Sequence, residues 1–189
     1  MNETLYTDTL SNENDIPVCV LPRVMPSLLI GKSILDACCG SKMFWFNKSN
    51  PAVLYADKRK GIFEAYGNKT EVNPDLQMDF TKMPFDNNSF YLVVFDPPHS
   101  KWLGDNTILG QKYGQLFSNW EIEIKAGFDE CMRVLKPNGT LIFKWNDKDI
   151  KLSKLINVIK TEPLFGHTSG KHGKTIWLAF MKGVSCNEA

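Results

Sequence analysis

The residues best suited to chemistry stand at 96–99. Asp96-Pro97-Pro98-His99 follows directly on the apolar run Phe90-Tyr91-Leu92-Val93-Val94-Phe95. A run with so little polar alternation predicts a strand buried on both faces. The two prolines end it and hold the next residues in a stiff, extended turn. Asp96 is thereby presented at the carboxyl end of a buried strand, where open α/β sheets bind ligands. Three further aspartates close short apolar runs in the same way: Asp36 in 33–37, Asp57 after 51–56 and Asp79 after 75–78. Aspartate is a poor strand residue, and any one of them reads equally as a turn former or cap. Four on one rim of a parallel sheet predict a negatively polarised crevice. Such a crevice suits a ligand with hydroxyls, amines and a positive centre, and it repels a pyrophosphate.

The elements that must position these acids can be read in order. Residues 1–15 are polar and acidic, and Pro17, Pro22 and Pro26 make 16–32 an irregular lead-in with at most a short turn. Strands are expected at 33–37, 51–56, 75–78, Phe90–Phe95, 140–145, 163–166 and Thr175–Met181. Helices are expected at 43–48, over the basic stretch 58–66, at 120–135 and at 150–159, where Ile150, Leu152, Leu155, Ile156 and Ile159 recur with helical spacing. Lys136-Pro137-Asn138-Gly139 should end the third helix and turn. Gly170-Lys171-His172-Gly173 predicts an antiparallel hairpin between the last two strands. Strands alternating with helices imply an α/β fold: a Rossmann-like, seven-stranded, mostly parallel sheet with helices on both faces, closed by that hairpin. The domain is expected over 33–182, between a lead-in at 1–32 and a tail at 183–189. The polar, glycine-containing segment 100–119 is long for a connection and is expected to be a substrate-side insertion.

Asp36-Ala37-Cys38-Cys39-Gly40-Ser41, an acid followed by a turn of small residues, resembles the first cofactor motif of class I S-adenosylmethionine-dependent methyltransferases. Asp57 matches that family's acid for the ribose hydroxyls, and Asp79 the acid beside the adenine amino group. Leu135-Lys136-Pro137-Asn138-Gly139-Thr140-Leu141 resembles its helix–turn–strand segment before the fifth strand. The family's Gly-x-Gly is here Cys38-Cys39-Gly40, as in short phage and bacterial methyltransferases. The resemblance covers roughly 33–182 and implies S-adenosyl-L-methionine as cofactor, held by Asp36, Cys38, Cys39, Gly40, Asp57, Asp79 and Asp96, with no metal. Asp96-Pro97-Pro98-His99 resembles the Asp-Pro-Pro-aromatic motif of amino-group nucleic-acid N-methyltransferases. In that family the carboxylate and a proline carbonyl accept hydrogen bonds from a planar amine, and the fourth residue stacks on the base. Here these roles fall to Asp96, Pro97, Pro98 and His99, with His99 in place of the usual larger aromatic ring. The implied acceptor is the exocyclic amine of a nucleic-acid base, DNA or RNA, with adenine N6 preferred. A small molecule, a protein glutamine amide and a non-catalytic cofactor-binding module are the alternatives. Lys101, Trp102, Lys112, Tyr113, Lys144 and Trp145 are the candidate substrate contacts, with Trp145 equally readable as core.

Composition narrows the field. A net charge of +1 does not announce a nucleic-acid binder. Its distribution is uneven, for residues 133–182 carry ten bases against Asp147, Asp149 and Glu162. That surplus could face phosphates or form an ordinary solvated surface. Five cysteines, with no CxxC pair, read as small buried thiols in place of a zinc site or disulfide framework. No apolar run is long enough to cross a membrane, and Met1-Asn2-Glu3-Thr4 does not open a signal peptide, so a cytoplasmic location is expected.

Overall fold

The computed structural model describes residues 26–65, 67–99, 119–170 and 173–184. A short helix α1 (Pro26–Leu29) leads into β1 (Ile34–Asp36) and β2 (Val53–Asp57). A hairpin follows, β3 (Gly61–Ala65) and β4 (Asn68–Val72), then β5 (Leu76–Gln77) and β6 (Phe90–Phe95). Next come α2 (Trp120–Val134), β7 (Leu135–Asn146), α3 (Leu152–Ile159), β8 (Phe165–Ser169) and β9 (Thr175–Met181). Seven strands form one sheet in the order β5-β2-β1-β6-β7-β9-β8, while β3 and β4 form a separate antiparallel pair. The first five strands of the sheet run parallel, and β9 is antiparallel to both β7 and β8. The α/β architecture and its closing hairpin are those expected.

Register decides which side chains share a face. Leu35 aligns with Leu54 and Val93, Val93 with Leu141, and Leu141 with Phe180. These side chains point to one face, where Ile124, Phe128 and Cys131 of α2 and Leu155 and Ile159 of α3 complete the main core. Fully burying side chains of this size contributes about 1.5–3 kcal/mol each. Gly127 lets α2 approach closely, since a Cβ there would lie 2.6 Å from Phe80 and 2.8 Å from Phe95. Arg133 at the end of α2 binds Glu130 and donates to the carbonyls of Met83 and Phe85, which fastens the turn before β6.

The opposite face carries Asp36, Tyr55 and Asp57, and further along Lys144 and Trp177. A second small core of Cys39, Val53 and Tyr55 lies there, with Ile34 and Trp45 packed against it. Residues 43–48, expected as a helix, form turns. Asn47 and Asn50 accept from the backbone N–H of Ser49 and Ala52, a local bonding that competes with helix. Trp45 meanwhile packs edge-on against Tyr55, with ring centroids 5.5 Å apart. The basic stretch expected as a helix over 58–66 is not helical in its described part, because Gly61–Ala65 pairs in register with Asn68–Val72. Gly67 takes a left-handed φ of 76°, which supports the tight reversal there. The turn expected at 136–139 survives as an irregularity between β6 and β7, with Asn138 at φ 62°.

Candidate active site

The turn after β1 is built from the backbone outward. The Ala37 N–H donates to the Val94 carbonyl and the Cys39 N–H to the Ala56 carbonyl, so the turn bridges β6 and β2. Gly40 has a left-handed φ of 50°, and a Cβ there would meet nothing within 4 Å. Its backbone therefore faces open space, as close approach of a ligand requires. Asp36 is 1% exposed and accepts from Trp45 Nε1 at 2.7 Å and from the Cys38 N–H at 3.3 Å. Burial pushes its pKa up to about 7; the two donors oppose the shift and nearby Asp96 and Asp57 add to it. Burial also pushes the Cys39 thiol up, so Cys39 is a neutral packing residue at physiological pH.

Asp57, 4% exposed, is committed within the protein. Its Oδ2 accepts from the Gly40 N–H at 2.8 Å, and its Oδ1 from the Arg59 N–H at 2.9 Å and Arg59 Nε at 3.2 Å. The carboxylate clips the Gly40 turn to the end of β2. Asp79 accepts from the backbone and hydroxyl of Thr81 and pairs with Lys58 at 2.8 Å. Burial pushes its pKa up, but the Lys58 and Thr81 hydrogen bonds outweigh that and hold it below the usual carboxylate range.

Asp96 and Lys144 extend from neighbouring strands, because Phe95 aligns with Phe143 across β6 and β7. Lys144 Nζ lies 2.9 Å from Asp96 Oδ2, with the two side chains 15% and 10% exposed. Asp96 Oδ1 is buried and has no hydrogen-bond partner among the described residues. Burial pushes the Asp96 pKa up, and the Lys144 charge and hydrogen bond offset only part of the shift. His99 packs edge-on against Trp145, with ring centroids 6.3 Å apart. Its own burial lowers its pKa despite the pull of Asp96, so the imidazole is neutral at pH 7.

These positions correct two expectations. The crevice is not uniformly negative: Asp57 pairs with Arg59, Asp79 with Lys58 and Asp96 with Lys144, and Asp36 alone among the four has no ion pair among the described residues. Trp145 is core and not a substrate wall, being 0% exposed and donating from Nε1 to the Ile150 carbonyl at 2.9 Å. Lys144 does reach the rim, bonded to Asp96. Lys101, Trp102, Lys112 and Tyr113 lie outside the described residues. Several bases of the C-terminal third are engaged within the protein. Arg133 donates to carbonyls in the turn before β6, Lys182 to carbonyls around the start of β7, and Lys151 and Lys154 pair with Asp147 and Glu121. Sequence reasoning missed Trp45, Arg59, Phe44 and Trp177 as neighbours of the site. The only available signal was the basic run Lys58-Arg59-Lys60 directly after an acid. Among the described residues, no group of three His, Cys, Asp or Glu side chains could hold a metal ion, and no helix is long and apolar enough to cross a membrane.

The strand order, with an antiparallel β9 beside β7, is that of a Rossmann-like α/β sheet, and an acid–small-residue turn follows its central strand β1. No family model matches the chain, and no curated protein sequence matches it. Solved structures do. The PH0226 protein of Pyrococcus horikoshii is similar with a TM-score of 0.53 and 13% identity, over 79% of this chain and 81% of that one. A TehB-like SAM-dependent methyltransferase of Corynebacterium glutamicum is similar with a TM-score of 0.51 and 15% identity, over 86% of this chain and 82% of that one. What is shared at these identities is the fold.

Proposed function

We propose that this chain is an S-adenosyl-L-methionine-dependent methyltransferase acting on the exocyclic amino group of a nucleic-acid base, with adenine N6 the preferred acceptor. One observation carries the acceptor side. Asp96 Oδ1 is a buried carboxylate oxygen with no donor among the described residues, held at the start of the rigid Pro97-Pro98 turn. A buried acceptor left unmatched is costly, and an incoming N–H satisfies it. On the donor side, Gly40 faces open space and Asp36 has no ion pair among the described residues, which suits a ligand carrying a sulfonium and an ammonium group. Asp57 would serve that ligand by fixing the Gly40 turn, and Asp79 with Lys58 would border the adenine end.

S-adenosyl-L-methionine supplies an electrophilic methyl group on sulfur. An exocyclic amine is a weak nucleophile because its lone pair is delocalised into the ring. In this reading Asp96 Oδ1 and the Pro97 carbonyl accept its two N–H bonds, draw density onto nitrogen and hold it in line for attack. The surplus proton leaves from the methylated nitrogen to water. His99, neutral and resting on Trp145, offers a ring for the base to stack against. A base in a duplex must first be flipped out to reach Asp96. Lys101, Trp102, Lys112 and Tyr113 remain proposed contacts for the strand that carries it.

The test is incubation with methyl-labelled cofactor and a panel of single-stranded DNA, RNA, glutamine peptides and free nucleosides. The expected product is N6-methyladenine in nucleic acid, with Asp96→Ala slowing transfer by about 10²–10³-fold. Label found only in peptides or small molecules, or transfer undiminished by Asp96→Ala, would overturn the assignment.

A further inference from the structure

Lys144 is half-buried at a site that, on the reading above, must receive an amine. A cation beside an amine-binding carboxylate needs an explanation. Its stem comes from β7 and its Nζ is engaged from two sides. One side is Asp96 Oδ2 at 2.9 Å. The other is aromatic: Nζ lies 4.6 Å from the Phe44 ring centroid and 5.9 Å from that of Trp177. Those two rings brace each other edge-on at 5.0 Å, and Trp177 Nε1 donates to Ser169 Oγ at 3.1 Å. A lysine held between a carboxylate and two braced rings cannot swing out to a phosphate without losing all three contacts. It is therefore poorly placed as a nucleic-acid contact, the role its position on the rim first suggested.

We infer that Lys144 is a positioning residue that fixes Asp96 with Oδ2 bound and Oδ1 free for the acceptor, and that its charge turns away cationic amines. This rests on the methyltransferase reading of the site. A neutral planar amine can donate an N–H to Oδ1 with Lys144 in place. A protonated aliphatic amine, such as a lysine side chain or a polyamine, would bring a second positive charge into a poorly solvated corner beside Nζ. Like charges in such a setting repel strongly. The pair thus selects for weakly nucleophilic, uncharged amines, the class that gains most from the hydrogen bonds Asp96 can offer. The rejection is built as an unfavourable contact for the wrong substrate, which is a general route to specificity.

Two measurements on wild type, Lys144→Met and Lys144→Arg decide the matter. The first is the carbon-13 titration of the Asp96 carboxyl, which needs no substrate. The other groups bearing on it are His99 in the same turn and Asp36 on β1. The Asp96 midpoint should rise by about 1–3 pH units in Lys144→Met and stay near the wild-type value in Lys144→Arg. The second is labelled methyl transfer to an adenine-containing oligodeoxynucleotide and to spermidine. Lys144→Met should lower kcat on the oligonucleotide by about 10-fold or more with little change in KM, and Lys144→Arg should recover most of it. The ratio of spermidine to oligonucleotide transfer should rise in Lys144→Met. An unmoved Asp96 titration, or full kcat in Lys144→Met, overturns the inference and leaves the methyltransferase reading standing. Wild-type transfer to spermidine and not to the oligonucleotide overturns both.

Discussion

Asp36 is the rim acid whose environment is least compensated, and its charge state ties the site to pH. Its folded pKa of about 7 stands above the ordinary 3.8. A carboxyl whose pKa is raised by folding adds stability while it is protonated, so its contribution is full below about pH 4 and fades as pH rises through about 7. Asp36→Asn should therefore melt higher than wild type at pH 8, by roughly 5 °C, with the gap closing toward pH 4. The same substitution should weaken cofactor binding by calorimetry. A variant that melts lower than wild type at pH 8 would contradict this electrostatic account. The acids themselves were legible in the sequence, because each closes an apolar run. Their partners were not. Arg59 and Lys58 are neighbours in one basic run, yet they pair with different acids, Asp57 and Asp79. Nothing in the order of residues says which goes where. Lys144 is 48 residues from Asp96, and the pairing exists only because β6 and β7 align as they do.

At the scale of elements, what could be read was what rests on burial alone. Phe90–Phe95 and α2 follow from an uninterrupted apolar run and from apolar residues at helical spacing. The segment 43–48 misled because its aromatic residues serve tertiary contacts: Phe44 meets Trp177, and Trp45 meets Tyr55 and Asp36. The stretch 58–66 misled because strand pairing with 68–72, a partner later in the chain, overrode local preference. Gly127 gives a test of α2 packing. By propensity alone, alanine in a helix interior gains about 1 kcal/mol over glycine. Here the added methyl would press on the rings of Phe80 and Phe95. Gly127→Ala should thus lower stability by about 1–3 kcal/mol in urea unfolding, as overpacking does. A gain in stability would mean that Phe80 gives way freely.

For the whole molecule, the site is assembled from the ends of strands that only the completed sheet brings together. A ligand that binds this assembly and not the unfolded chain must stabilise the fold globally. S-adenosyl-L-methionine at about 100 times its Kd should add about 2.7 kcal/mol and raise the melting temperature by several degrees. ATP, whose phosphates meet no glycine-rich phosphate loop among the described residues, should give no shift. The central place of β1 has a consequence for how the protein is made. β1 lies between β2 and β6, and its Leu35 aligns with Val93, 58 residues later. The Asp36–Gly40 turn is complete only once the Ala37 N–H has found the Val94 carbonyl. Asp96 in turn waits for Lys144. A chain growing from the ribosome therefore emerges with its first motif early and without its supports, and the site closes only after residue 144 has cleared the exit tunnel. Such long-range pairing makes for slow folding. Ligand binding by this protein is then a late event of synthesis, and a ribosome-stalled fragment ending before β7 should retain no cofactor.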